Sequence, residues 1–288
     1  MRIVRCHGRR RRTSCGGAAA ASSVATAAID IDGVWFRHPT TAVTSARSRT
    51  KGGDGGGQDV SGDSGGGGDE DGFVLRDVSL RLEPGELGLL TGRSGSGKTT
   101  LLNVAAGFTA PDRGTVRLRS RTLAPASATR MDSVGYVFQF PERHFVADTL
   151  LAELAFGIGA KDDAGAMGRR VMDAMRLLRV DVNEMLGKGG FRGGDIRMRD
   201  LSGGYQRRVA IAIQVARRPD VLLMDEPLAG LDWRARASLV PALRDLASGA
   251  NGGDGCAVLI VSHDIDELRG VVDRWWTLDE RGRNNVRK

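Results

Sequence analysis

Gly92-Arg93-Ser94-Gly95-Ser96-Gly97-Lys98-Thr99 is the stretch on which the reading of this chain turns. It matches the pattern G-x-x-x-x-G-K-[ST], and its neighbours are those the pattern requires. Glu86 to Leu90, just before it, follows the Pro84-Gly85 turn and reads as a buried strand. Thr99 to Gly107, just after it, carries Leu101, Leu102 and Ala105 at helical spacing. In such a strand, loop and helix, glycines let the backbone curl until successive N–H groups point at phosphate oxygens, and the helix start adds the positive end of its dipole. Lys98 is then placed to reach the β- and γ-phosphates of a nucleotide, and the Thr99 hydroxyl to ligate magnesium. The candidate nucleotide-binding residues are Gly92, Arg93, Ser94, Gly95, Ser96, Gly97, Lys98, Thr99 and Thr100. A glycine turn that merely precedes Lys-Thr is the plain alternative, and the flanking strand and helix weigh against it.

Working outward, Val221-Leu222-Leu223-Met224-Asp225-Glu226 is an apolar strand ending in two carboxylates. Strand ends of this kind open on the crevice where open α/β sheets bind ligands. Asp225 is the candidate for the magnesium shell, and Glu226 for polarising the attacking water. Seen alone, the pair would read as structural; opposite a phosphate loop it becomes the second half of a nucleotide site. Ala257 to Val261 is another fully apolar strand, and Ile29 to Phe36, Phe73 to Leu82 and Val134 to Phe138 are further candidates. Helical periodicity covers Thr149 to Gly157, Met167 to Leu178 and Asp200 to Arg218. Apolar strands alternating with helices indicate an α/β fold with a largely parallel sheet covered on both faces. The strandless block from about 140 to 205 reads as a helical subdomain.

The 288 residues, 41% hydrophobic and 27% charged, suit one catalytic module with a small subdomain. The longest apolar runs fall far short of the roughly 18–20 residues needed to span a bilayer, so action at a membrane requires another protein to cross it. Of the net charge of +7, six units are the arginines 2, 5, 9, 10, 11 and 12, and no acid precedes Asp30. Two readings fit residues 1–28: a basic arm for phosphates, or an Arg-, Ala- and Ser-rich transit peptide for a plastid or mitochondrion, cleaved near Ala21 to Ala28. The chain beyond residue 28 carries a net charge of only +1, residues 29–280 form its catalytic body, and no nucleic-acid partner is expected. Gly52 to Gly72 holds eleven glycines and six acids among 21 residues, too little apolar surface to offset the entropy of ordering, and reads as a solvated insertion over about 46–72. Residues 281–288 read as a basic tail, and Cys256 as a small residue beside a core strand with no disulfide.

The two motifs so far specify only a P-loop NTPase. Leu201-Ser202-Gly203-Gly204-Tyr205-Gln206, ahead of a helix, narrows this: a serine and two glycines at a helix start make a second anion-binding end. LSGG followed by glutamine or a similar residue resembles the signature of the ABC ATPases. The resemblance implies a P-loop NTPase core with an antiparallel β subdomain and an α-helical signature subdomain. It implies that Gln139, in YVFQFPE, is the glutamine that touches magnesium and water; that Asp232, in LAGLD, belongs to the D-loop; and that His263, in VSHD, is the switch histidine. It further implies ATP and Mg2+ as ligands, Glu226, His263 and Gln139 as catalytic residues, and Thr99, Gln139 and Asp225 as magnesium ligands. The aromatic that stacks on adenine in the family falls at His38, in VWFRHP.

Phe138 to Gly157, FQFPERHFVADTLLAELAFG, is similar to the ATPases of energy-coupling-factor and cobalt-type importers, and more so to a plastid-targeted, non-intrinsic ABC protein of plants and green algae. That resemblance implies a homodimer or heterodimer in which the phosphate loop of one subunit faces Leu201 to Gln206 of the other. It also implies a separate transmembrane subunit, peripheral attachment to a plastid membrane with the mitochondrion as the alternative, and import of a metal ion or small cofactor. A non-transport ABC ATPase that remodels nucleic acid or a protein assembly is the competing reading. Against it stand the lack of long heptads between the motifs, of a second cassette and of a basic stripe in the body.

Overall fold

A computed structural model describes residues 27–38, 72–119, 121–122, 133–155, 164–180, 197–250, 255–280 and 282–287. The leader up to residue 26, the Gly/Asp-rich stretch up to Asp71, and parts of the helical block (156–163 and 181–196) lie outside the described residues.

The centre is a six-stranded sheet, built around three short runs, Leu87–Gly92, Val221–Asp225 and Ala257–Val261, that are buried on both faces. Its strands are β3 (Leu87–Gly92), β6 (Val134–Val137), β7 (Val221–Asp225), β8 (Ala257–Val261), β9 (Arg274–Leu278) and β10 (Asn284–Arg287), in the order β10-β9-β3-β8-β7-β6. All neighbours pair in parallel except β10 on β9. Strand alternation sends Leu222, Met224, Val258 and Ile260 to one core, and Val221, Leu223, Leu259 and Val261 to another. The first core is closed by α3 (Ala164–Leu177), α4 (Gly203–Ala216) and α5 (Trp233–Ser248). The second is closed by α1 (Lys98–Ala105) and by a four-stranded antiparallel sheet in the order β2-β1-β4-β5. That sheet comprises β1 (Ile29–Phe36), β2 (Leu75–Leu82), β4 (Arg113–Leu118) and β5 (Arg121–Thr122), with buried residues alternating along β1, β2 and the second half of β4 as one covered face demands.

α3 packs against α4 and the short helix α2 (Leu150–Ala155) against α3, and no strand interrupts the described part of the block from 140 to 202. A last short helix, α6 (Ile265–Leu268), follows β8. Residues 281–288, expected as a tail, supply β10 instead, whose backbone pairs with the Trp275-Trp276 strand. Trp276 is buried within the second core. Cys256 is buried and free at the start of β8, its thiol pushed up to about 12 first by burial and then by Asp220. None of the described helices is long and apolar enough to cross a membrane.

Candidate active site

The carboxyl ends of β3, β7 and β8 lie side by side, and the site grows from them. Beyond β3 the chain turns at Gly92, where a Cβ would come within 2.6 Å of Ser96 Oγ and 2.7 Å of Leu278 O. Gly97 caps α1 at φ 95°, a left-handed conformation that L side chains rarely adopt, and a Cβ there would come within 2.9 Å of Leu75 and 3.2 Å of Val74. The Lys98 ammonium is folded back on the loop, donating to the carbonyls of Gly92 and Arg93 at 2.8 Å each. Ser96 Oγ is buried and has no hydrogen-bond partner among the described residues. A curled loop with an unsatisfied hydroxyl and an ammonium resting only on carbonyls fits an anion. Arg93 and Ser94 are exposed on its outer side, and Arg93 pairs with Glu280. Thr100 sits half-buried one step along α1.

Thr99 Oγ1 donates to Asp225 Oδ2 at 2.7 Å, joining α1 to the end of β7. A hydroxyl beside a carboxylate is a hard oxygen pair of the kind magnesium takes. Burial raises the Asp225 carboxyl above its ordinary value; the Thr99 bond works against this, neighbouring Glu226 adds to it and Lys98 opposes it.

The register Asp225↔Val261 puts Glu226 next to Ser262 and His263. Glu226 has φ 50°, left-handed for a residue with a Cβ, and its N–H donates to Val261 O at 2.8 Å. This turn aims its side chain back at β8, where three donors meet on one oxygen, Oε2: Ser262 Oγ at 3.2 Å, His263 N at 3.4 Å and His263 Nδ1 at 2.9 Å. The hydrogen bond to Glu226, and then its charge, raise the His263 pKa above the ordinary imidazole value. The imidazole ring is otherwise largely exposed.

Gln139 follows β6 and is exposed. Leu201 is buried and Gln206 donates to Met198 O at 2.9 Å, so both anchor the turn before α4. Ser202 caps α4, accepting from Tyr205 N at 3.4 Å, while Ser202 and Gly203 are exposed and Gly204 and Tyr205 half-buried. Asp232 caps α5 through Ala235 N at 2.8 Å. His38 is exposed at the end of β1, its ring edge-on to Phe36 at 5.3 Å; Phe36 O accepts from Val74 N, whose residue abuts Gly97. The structure thus gathers Lys98, Thr99, Asp225, Glu226 and His263 into one constellation, while His38 lies at the end of β1 beside Phe36. Residues Ser202 to Gln206 stand on a different element and keep their own polar contacts.

Three contributors escape a reading by motif. Ser262 is fully buried, donating to Glu226 and accepting from Asp264 N at 3.0 Å. Arg236 bridges Leu231 O to Asp264 and Glu267. Arg207 is buried in α4 and donates to the carbonyls of Glu226 and Gln139. Its position four residues before buried Ile211 puts a charge on the core face of the helix, the one signal available in the sequence.

The family described as ABC transporter matches residues 75–229. The chain is 36% identical over 221 residues to ABC transporter I family member 11, chloroplastic, of Arabidopsis thaliana, covering 73% of each. It is 33% identical over 220 residues to an energy-coupling factor transporter ATP-binding protein of Streptococcus sanguinis, covering 73% of this chain and 72% of that one. Its fold matches a dimeric ATP-binding cassette in a post-hydrolysis state with ADP and phosphate bound, at a TM-score of 0.63 and 23% identity, covering 90% of this chain and 98% of that one.

Proposed function

This chain belongs to the ABC transporter family as an ATP-hydrolysing subunit, and we propose that two such subunits clasp each ATP between the phosphate loop of one and Ser202–Gly204 of the other to drive a separate membrane protein. One observation carries this: the loop, the Asp225-Glu226 carboxylates and His263 are assembled on the sheet, while the second anion-binding helix end faces solvent on α4. A single chain holds both halves of a site that only a partner completes.

In this reading Lys98 leaves the Gly92 and Arg93 carbonyls for the β- and γ-phosphates, and the loop N–H groups with Ser96 and Thr100 hold the remaining oxygens. Thr99, Asp225 and Gln139 would hold Mg2+, which supplies positive charge against the phosphate oxygens. Glu226, steadied through Oε2, takes a proton from water through its other oxygen. The water oxygen bonds to the γ-phosphorus as the bond to the β–γ bridging oxygen breaks, releasing ADP and phosphate. His263, hydrogen-bonded through Nδ1 to Glu226, faces the γ-phosphate; Asp232 orders the turn into α5 at the dimer face, where Trp233 is 72% exposed. His38 stacks on adenine. Loss of the γ-phosphate removes the link between subunits and reopens the pair.

The segment after Gln139 offers a seat for the membrane protein: Phe140 is 43% and Val146 64% exposed. The segment is held in shape by Glu153 Oε2, which accepts from Val146 N and Ala147 N at 2.8 and 2.7 Å. Import of a metal ion or small cofactor at a plastid membrane is the favoured role. It is supported by the names of the chloroplastic and energy-coupling-factor relatives and by the arginine-rich leader.

The test is affinity purification of the C-terminally tagged chain from plastid membranes, comparing wild type with Glu226→Gln. A co-purifying multispanning protein, with hydrolysis lost in the variant, is expected. Soluble partners alone, with hydrolysis still dependent on Glu226, would leave the enzyme and refute the transporter.

A further inference from the structure

We propose that Arg207 is a positioning residue for hydrolysis, which ties the helix behind Ser202 to the backbone of Glu226 and of Gln139. The proposal rests on the reading of Glu226 as the base.

Arg207 lies in the second turn of α4 and is only 7% exposed. Its Nη1 donates to Glu226 O at 2.6 Å and its Nη2 to Gln139 O at 2.8 Å. A guanidinium can reach two carbonyls at once because its donors diverge in a fixed plane; a lysine ammonium is a point charge and has no such fork. Three segments distant in sequence therefore meet on one side chain, and each belongs to a different part of the candidate site.

Glu226 is where the clamp matters most. Its positive φ is held at the N–H by Val261 O, and at the carbonyl by Arg207 and by Ala229 N at 3.1 Å. The carboxylate hangs from the Cα between these two fixed peptides. Without the Arg207 bond the following peptide can tilt, and Oε2 swings away from Ser262 and His263. Gln139 is tethered to the same guanidinium, so a shift of α4 moves the base and the glutamine together. The alignment of the base thereby depends on where the helix behind Ser202 sits.

The experiment uses the full chain as Arg207→Lys and Arg207→Ala, with Glu226→Gln as control. It reads kcat per nucleotide-binding site, the Kd for Mg-ATP, and the response to millimolar ethylguanidinium. Misplacing a reacting group costs rate more than binding, so both Arg207 variants are expected to lose about tenfold or more in kcat with Kd changed less than about threefold. Ethylguanidinium should restore the Ala variant, which has room for it, and leave the Lys variant unchanged. If the Ala variant fails to fold, the split between kcat and Kd in the Lys variant decides. Retention of kcat within about twofold, or a parallel loss of rate and affinity without rescue, overturns the proposal. Full activity in Glu226→Gln would instead overturn the base reading beneath it.

Discussion

Asp225→Asn should make the nucleotide-free protein more stable while abolishing its hydrolysis. The carboxyl is buried at the end of β7 and accepts a hydrogen bond from Thr99 Oγ1 at 2.7 Å. Burial is the largest influence on it and raises its pKa above the ordinary carboxylate value, with Glu226 adding to the rise. For an acid whose folded pKa is raised, the favourable contribution to stability is complete below the unfolded value near 3.9 and is lost as pH climbs through the folded value. At pH 7.5 the wild type therefore carries a penalty that asparagine does not. Asparagine weakens the Thr99 bond by about 1 kcal/mol, the gap between charged and neutral hydrogen bonds. Desolvating a buried ion costs several kcal/mol, so relief of that cost wins. At about 2–4 °C per kcal/mol for a domain of this size, the variant should melt at least about 2 °C higher at pH 7.5. The advantage should shrink as pH falls toward about 4. Calorimetry of both proteins without nucleotide, from pH 4.5 to 8, reads this directly. A variant that melts lower at pH 7.5, or a difference independent of pH, would refute the reasoning.

Three further outcomes follow from the geometry of the site. The His263 imidazole should titrate above the ordinary histidine value and drop when Glu226→Gln removes its partner, as read by its ring C–H resonances in NMR. Because that pKa is raised, the pair's stabilisation is present below about pH 6.5 and fades as pH rises through the raised value; the Tm gap to His263→Ala should be wider at pH 6 than at pH 9. Gly97→Ala places a Cβ 2.9 Å from Leu75 at φ 95°, and should cost about 1–3 kcal/mol and Mg-ATP binding together; an Ala variant that melts and binds like wild type would sink the account of the loop.

Much of the site was legible because its chemistry is local. Gly92 to Thr99 lie within one turn, and Val221 to Met224 announce a central strand by being apolar on both faces. What stayed hidden depends on neighbours distant in sequence. Nothing near Glu226 announces its left-handed φ, and its contact with Ser262 and His263 exists because β7 pairs with β8. The spacing of Arg207 from Ile211 marks the core face of α4, but its partners Glu226 and Gln139 are brought to it only when α4 is laid on the sheet. β4 is hard to read because only Val116 and Leu118 mark its covered face, too few to show a period of two, and β10 because Asn-Asn-Val-Arg carries no alternating pattern. α5 is hard to read because Pro241 and its arginines break the periodicity, its Asp232 cap being the local mark of its start.

The central claim, a site completed only by a second subunit, is tested most directly by the solution mass of Glu226→Gln measured by light scattering with Mg-ATP. The account predicts a dimer that forms with ATP, falls apart with ADP, and is abolished by adding either Lys98→Ala or Ser202→Arg. A monomer at saturating Mg-ATP, or a dimer indifferent to both substitutions, would contradict it.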